Sequence, residues 1–579
     1  MQVYLTIIGV VILLLIITAM LGRRNEINAE REFLARLKAQ RGKEPSVPIS
    51  EERFKSLGAY HEHHKGSYYI DDITWNDLSL DDLYKRVCYC HSGAGQEYLY
   101  HLLRSPSQTD DFEDFEEKIA VFSADPDFRD RASLLFKRIG SGKKYSVYDY
   151  LDKLEEAAVP GVAGSVIGLV LLILSVFGMF INFGLFFVLA IIILSYQIIS
   201  YFAGKSKIAP YLSTFGYILR LLDGGERLVN YKDERLSLMG ESIREDLDKM
   251  KGFRKGSFIL MTFEGLTGGG DFISILINYF CMVTHADLIK FSLMFRDVRH
   301  NYDRIDHMIT VMGRIESYIS ISYFRESLKQ GYCIPVFDNG VLPAHSADHA
   351  ADARDMIAVS FKGEGLYHPC LRDAVKNSID TDKGVLITGS NASGKSTFLK
   401  TVAVAALMAQ SLHTVTGDSY HAPVYRIYSS MALRDDMTGG DSYYMAEIKS
   451  LYRILSAAKT DGPRILCLVD EVLRGTNTVE RIAASSVILK SLIHRNIQCF
   501  AATHDIELTE LLVDIYDNYH FEGLFEGDDI RFTYKIGRGP ATNRNAIRLL
   551  GEVGYDDDIV KAAALMAESF LTKGRWEMI

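Results

Sequence analysis

Gly389-Ser390-Asn391-Ala392-Ser393-Gly394-Lys395-Ser396 fills every fixed position of a phosphate-binding loop: a glycine, four residues, then Gly-Lys-Ser. Val385-Leu386-Ile387-Thr388 precedes it as a short apolar run and reads as a buried strand. Phe398 to His413, rich in Ala, Leu and Val, follows it and reads as a helix. A glycine-rich turn between strand and helix aims successive backbone N–H groups at an anion, and the helix N-terminus adds the positive end of its dipole. In such a loop Lys395 reaches the β- and γ-phosphates, Ser396 holds Mg²⁺, and Thr397 follows them in the first helical turn. The stretch predicts a chain that binds a nucleoside triphosphate.

A second strand supplies acidic partners. Ile465-Leu466-Cys467-Leu468-Val469 is a continuous apolar run that ends in Asp470-Glu471. Alone, such a pair is more often a solvated strand end. Downstream of a phosphate loop, Asp470 is placed to hold the metal through water and Glu471 to orient or deprotonate the attacking water. A third strand, Gln498 to Thr503, delivers His504 to the same edge, where a histidine can sense the γ-phosphate. Lys395, Glu471 and His504 are therefore the expected catalytic set, with Ser396 and Asp470 on the metal.

These strand-end motifs resemble those of the MutS family. Asp470-Glu471-Val472-Leu473-Arg474-Gly475-Thr476-Asn477-Thr478 is similar to its DE-x-x-RGT-x-T segment. Ala502-Thr503-His504 with Glu507-Leu508-Thr509 is similar to ATH-x-x-EL-T. Gly440-Asp441-Ser442-Tyr443-Tyr444-Met445-Ala446-Glu447 resembles the G-x-S-x-x-M-x-E signature loop, and Tyr367-His368-Pro369 the His-Pro that opens the ATPase domain. The resemblance implies an ABC-like α/β P-loop ATPase that uses ATP and Mg²⁺ and forms a head-to-tail homodimer through its ATPase domains. It also implies that Ser442 of one subunit reaches the γ-phosphate held by the other. Thr438 to Ser442 resembles an ABC-exporter signature too, but the Arg-Gly-Thr loop points to the MutS branch. Two departures stand out. Ser393 replaces a family glycine, and Pro540 to Ile547 follows the family's Ser-Tyr-Gly-Ile segment only loosely.

Upstream, Asp77 to Leu83 and Gly95 to Arg104 resemble the start of the family's helical core. Ile305, Met308, Ile309, Met312 and Ile315 recur at three- and four-residue steps, as on an amphipathic helix. Tyr332 to Phe337 is similar to the segment that enters the ATPase domain.

Hydrophobic runs set the rest of the layout. Val3 to Gly22 carries no charge and is followed by Arg23-Arg24, long enough to cross a bilayer core of about 30 Å at about 1.5 Å per residue. The charges after the run, and none before it, favour an uncleaved anchor over a signal peptide. Gly161 to Ala203 is also uncharged and reads as two membrane helices turning at Asn182–Gly184. Lys143, Lys144 and Lys153 before it, and Lys205 and Lys207 after it, put the large segments on the cytoplasmic side. Phe272 to Val283 is short, flanked by acids, and reads as a buried helix. The expected order is an anchor at 1–22, a charged linker at 23–70, and an all-α core at 71–157. A transmembrane hairpin at 158–203, the second core or lever part at 204–345 and the ATPase domain at 346–579 follow. Ser346 to Arg354 reads as a loop at the domain joint.

The expected location is the cell membrane, multi-pass, with the lipid bilayer as partner and the ATPase domain in the cytoplasm. Seven scattered cysteines, of which only Cys88 and Cys90 lie close together, argue against disulfides and zinc. The space before the core leaves no room for a mismatch-reading domain. A net charge of −10 gives no global attraction to phosphates, so DNA binding would need a local groove. Lys249, Lys251, Arg254 and Lys255 form one short basic cluster. Two functions follow: a membrane-tethered ATPase acting on DNA, or an ATP-driven switch acting on a membrane or protein partner.

Overall fold

The computed structural model describes residues 2–46, 49–142, 145–149, 151–152, 161–255, 257, 272–338, 360–390, 393–431, 443–493, 497–526, 529–541, 547, 550 and 554–576. They form two units. One is helical and comprises Met1–His64, Val87–His101 and Glu117–Glu326; the other comprises Lys65–Arg86, Leu102–Glu116 and Ser327–Ile579. Ser346 to Arg354, Lys143, Lys144 and Lys153 lie outside the described residues.

The helices that matter begin with α1 (Gln2–Gln40), which runs unbroken past Arg23-Arg24. α2 (Asp72–Asp77) belongs to the second unit. In the helical unit follow α3 (Gly93–Arg104, up to its last turn), α4 (Pro126–Ile139), α5 (Ala163–Gly178) and α6 (Phe183–Val229). α7 (Phe272–Thr284), α8 (Ala286–His300) and α9 (Tyr302–Ser327) complete it. The expected stripe on α9 is real: Ile305, Met308, Ile309, Met312 and Ile315 are all buried. Glu316 on the same helix closes the entry to α3, its carboxylate accepting the N–H groups of His91 and Ser92 and the Ser92 hydroxyl.

α5 and α6 pack together as the expected hairpin. Asn182 starts α6 by accepting the Leu185 N–H at 3.2 Å, a side-chain N-cap. The turn therefore ends at Asn182, and Gly184, expected in the turn, lies inside α6. Among the described residues one stretch, Phe183–Ile208, is long and apolar enough to cross a membrane; it is 26 residues long and almost unburied, while α5 has only 16 residues. Phe180 and Ile181 at the tip are 88% and 86% exposed. α7 forms where a buried helix was expected, but its Tyr279 and Phe280 are exposed and Cys281 is buried. The helix meets α5, α6 and α8.

The second unit carries two sheets. The smaller contains β1 (Val336–Phe337), β2 (Phe361–Leu366), β3 (Asn377–Thr381) and β5 (Ser419–Ala422), in the order β1-β5-β2-β3. The larger contains β4 (Gly384–Gly389), β6 (Tyr425–Ser430), β7 (Arg464–Asp470), β8 (Ile497–Ala502), β9 (Tyr516–Glu526) and β10 (Asp529–Arg538). Its order is β10-β9-β4-β8-β7-β6, parallel throughout except for the β9–β10 pair. The helices α10 (Lys395–Leu412), α11 (Tyr443–Ala457) and α12 (Thr478–Ile493) pack on it.

Strands covered on both faces need apolar side chains on both, so Ile465 to Val469 and Val385 to Ile387 read as continuous apolar runs rather than alternating ones. Leu386, Ile465, Cys467, Val469, Cys499 and Ala501 meet Leu451 and Ile454 of α11 and Leu489 and Leu492 of α12 in one core. The register sets Ile387 opposite Ala502 and Ala502 opposite Asp470, so β4, β8 and β7 end together.

Met312→Ala, which empties a fully buried site on α9, should destabilise the helical unit by about 2–5 kcal/mol. The check is the urea midpoint of the full-length protein followed by a helical signal. An unchanged midpoint would show that the stripe does not carry the packing of that unit.

Candidate active site

β4 runs into a loop whose path depends on two glycines. Gly389 has φ +143°, and a Cβ there would stand 2.6 Å from the Phe521 carbonyl oxygen on β9; Gly394 has φ +113°. No side chain fits the first position, and L residues rarely adopt either conformation. Ser393, which stands where the family has glycine, is buried and turns its hydroxyl back onto the Ser390 carbonyl at 2.8 Å. The serine thus closes the loop from within and fills no space over it. Asn391 and Ala392, expected in the cradle, lie outside the described residues.

Lys395, the first residue of α10, bends back over the loop. Its Nζ donates to the carbonyls of Gly389 at 2.7 Å and Ser390 at 2.9 Å. Burial lowers its pKa, with the negative charges of Glu471 and Asp470 opposing that shift. Ser396 and Thr397 follow, both exposed.

Across the strand edge, β7 ends at Asp470, and Glu471 adopts a left-handed backbone, φ +58°; Leu473 does the same at φ +59°. For residues with a Cβ this costs about 1–2 kcal/mol each, so the surroundings must hold them. The Glu471 N–H donates to the Ala502 carbonyl at 2.9 Å, and the Leu473 N–H to the buried carboxylate of Glu447 on α11. The turn presents the Glu471 side chain between two partners: His504 Nε2 lies 3.0 Å from Oε1, and the Arg474 guanidinium donates to Oε2. Burial alone would raise the Glu471 pKa. The hydrogen bonds from His504 and Arg474, and their charges, outweigh it and hold the group at about 2.

β8 brings His504 to this place. The Thr503 N–H donates to the Ile387 carbonyl at 2.9 Å, tying the end of β8 to β4, and Asp505 pairs with Arg481 of α12. The structure thus gathers Lys395, Asp470, Glu471 and His504 at one edge, as the sequence predicts. Ser442 lies outside the described residues. Arg474 and Glu447 sat in the quoted motifs without an assigned task; here one clamps the carboxylate and the other clamps the backbone that carries it.

Beside Gly394 and Thr397 opens a cavity of about 340 Å³, lined among others by His368, Asn377, Phe398, Phe521 and Tyr534. Burial, with Lys400 adding to it, lowers the His368 pKa to about 4, so its ring is neutral at pH 7. Aromatic walls with a few polar groups suit a flat heterocycle. No motif in the sequence marks Phe521 and Tyr534, because only the β9–β10 pairing brings them to the loop.

Two cations of the basic cluster are met by nearby acids. Lys251 pairs with Asp248 at 2.7 Å, and Arg254 with Glu226 and, at 3.4 Å, with Asp223.

A mostly parallel sheet covered by helices, with a glycine-dependent loop opening one helix and charged residues gathered at neighbouring strand ends, defines an α/β domain with a ligand site at its strand carboxyl ends. Residues 385–571 match the family model of MutS domain V. The chain is 32% identical to the DNA mismatch repair protein MutS of Thermus aquaticus over 190 residues, 33% of this chain and 23% of that protein. It is 28% identical over 292 residues to the DNA mismatch repair protein MutS 2 of Haloarcula marismortui, covering 48% of this chain and 30% of the relative. With MutS of Pseudothermotoga lettingae the identity is 31% over 272 residues, 46% and 31% of the two chains. The chain thus spans between about a quarter and a third of these relatives' length.

A carboxyl whose folded pKa lies below its ordinary 4.5 adds stability above pH 4.5 and loses it as pH falls through about 2. The stability difference between wild type and Glu471→Gln should therefore shrink between pH 6 and pH 3. Urea midpoints of both proteins at the two pH values check this. A difference that stays constant would remove the ionic clamp.

Proposed function

We propose that the chain is an ATPase in which ATP binding and hydrolysis at the β4–β8–β7 edge drive a change of shape, with a second copy completing the site. The observation that carries this reading is Glu471, held as a carboxylate by His504 and Arg474 on the same edge as the Lys395 loop. The fit to the triphosphate rests on the Gly389 and Gly394 cradle, which a Cβ would fill or strain, and on a buried ammonium whose hydrogen-bond partners among the described residues are loop carbonyls. The Ser396 hydroxyl and the Asp470 carboxylate are hard oxygen donors of the kind Mg²⁺ takes. Bound there, Mg²⁺ would neutralise charge on the β- and γ-phosphates.

In this reading Lys395 exchanges the Gly389 and Ser390 carbonyls for phosphate oxygens. The pocket of His368, Phe398, Phe521 and Tyr534 takes the base. Glu471, drawn away from Arg474, receives the attacking water, and His504 stays on the carboxylate to report the γ-phosphate. Ser442 of a second copy approaches the same phosphate. DNA is the proposed object of the movement, because the relatives in hand are named DNA mismatch repair proteins. A second reading, a switch on a membrane or protein partner, draws support from the exposed α5–α6 hairpin and from the pairing of Lys251 and Arg254 with nearby acids. We place the hairpin in the cell membrane and the ATPase unit in the cytoplasm in either case.

Glu471→Gln should keep ATP bound and slow turnover about a hundredfold or more, whereas Lys395→Ala should weaken binding itself. Ser442→Ala should lower hydrolysis and leave nucleotide affinity of the monomer unchanged. Steady-state rates and equilibrium binding of labelled ATP separate these; rapid turnover by the Gln variant would take Glu471 out of its role.

The ATPase rate of detergent-solubilised full-length protein, with and without homoduplex, mismatched, branched and single-stranded DNA, tests the object. A salt-sensitive change with one form supports the DNA reading. An unchanged rate with no DNA binding transfers it to the membrane or protein switch.

A further inference from the structure

Within the helical unit, α4 and α6 meet closely at one point. There the Arg220 guanidinium of α6 donates to the Ile139 carbonyl of α4 at 2.8 Å, and a Cβ on Gly224 would stand 2.6 Å from the Ile139 side chain. The glycine is what lets the two helices touch. Towards the N-terminus of α4 and the C-terminus of α6 lies a cavity of about 750 Å³, with Leu34 of α1 in its wall. Small-molecule sites run from about 300 to 1,000 Å³.

Much of the wall is apolar: Phe128, Leu134 and Leu135 of α4, Leu34, and the ring of Tyr231, just past the end of α6. Phe128 and Leu135 are buried and belong to the core of the unit. Ion pairs brace the wall from behind. Arg138 pairs with Glu30 and ties α4 to α1. Arg235 lies 4.1 Å over the Phe128 ring and pairs with Asp233 at 2.7 Å and Asp125 at 3.3 Å. Water in front of such a wall finds few partners, so displacing it favours a ligand with an apolar body.

Charge around the cavity is uneven. Four cations line it, Arg131, Arg138, Arg227 and Lys232, against two acids, Glu226 and Asp233. Both acids are engaged by cations from outside the lining, Glu226 by Arg254 and Asp233 by Arg235. Arg138 and Arg227 are met in the same way, by Glu30 and by Asp223. Arg131 and Lys232 remain: neither makes an ion pair or a side-chain hydrogen bond among the described residues. Asp125 and Asp233 feel the charge of Arg131, but the partner they hold is Arg235. Solvation accounts for an exposed arginine or lysine taken singly. It does not account for two unmatched cations on the wall of an apolar cavity of ligand size.

We propose that this cavity binds a small amphiphilic anion, its apolar chain or ring against Leu34, Leu134 and Tyr231 and its carboxylate or phosphate on Arg131 and Lys232. The site lies in the helical unit alone and does not rest on the function proposed above.

The test uses full-length protein in nanodiscs of a zwitterionic lipid, free of detergent that would compete. Octyl phosphate at millimolar concentration should slow hydrogen exchange of peptides covering 226–233 about threefold or more. Octanol, which has the chain alone, and inorganic phosphate, which has the head alone, should leave it unchanged. Arg131→Ala and Lys232→Ala, both at exposed positions, should each raise the half-saturating concentration about tenfold. Leu134→Trp, which fills the cavity, should abolish the slowing.

No slowing with octyl phosphate overturns the proposal. An equal effect of octanol does so too, since it leaves an apolar hole, as does an equal effect of inorganic phosphate, which leaves a surface anion site. A wild-type response in both alanine variants contradicts the role of the cations and the proposal with it. Should Leu134→Trp lose its cooperative unfolding, the two surface variants carry the comparison. An anionic lipid added to the nanodisc separates two sources of the same chemistry. Slowing by that lipid alone names the bilayer, and slowing by octyl phosphate alone names a soluble acid; either supports the site.

Discussion

The common end of β4, β8 and β7 is the constraint on which the site depends. The register sets Ile387, Ala502 and Asp470 in line, and two backbone hydrogen bonds seal it: Thr503 to Ile387 and Glu471 to Ala502. Slip any of these strands by one residue and its buried side chains exchange faces, so that side chains of different size meet the helices and the close packing of the core is lost. The phosphate loop, the acidic turn and His504 are thus brought together by packing that lies wholly beneath them.

On that edge, the charged groups are held by protein partners. Lys395 is satisfied by carbonyls of its own loop and Glu471 by Arg474 and His504. A carboxylate held at about 2 is a good acceptor and a poor base. Drawing Arg474 away raises its basicity, so the same clamp that orders the residue also sets when it becomes reactive. The left-handed backbone at Glu471 and Leu473, secured by Ala502 and Glu447, keeps the turn from relaxing while this happens.

Much of this was legible in the chain itself, for local reasons. Apolar runs of strand length ending in Gly389, Asp470 and Thr503 announce buried parallel strands, and the residues after each run carry the chemistry. The spacing on α9 and the break at Asn182 were equally readable, because three- and four-residue recurrence and an N-capping asparagine are properties of a few neighbouring residues. What could not be read depends on distant pairing. Phe521 and Tyr534 reach the loop only through β9 and β10. α7 was expected to be buried because it is short and flanked by acids; burial depends on how many neighbours meet it, and Tyr279 and Phe280 are exposed.

The exposed hairpin and the proposed composite nucleotide site ask the same thing of this chain, that a local change at one edge be felt elsewhere. Most depends on whether two copies share one ATP site. Mixing equal amounts of Lys395→Ala and Ser442→Ala proteins tests it directly, since only a mixed dimer holds one intact pair of residues. Random pairing predicts ATP hydrolysis at roughly a quarter of the wild-type rate from two proteins that are each nearly inactive alone. A mixture no faster than its components would contradict the shared site.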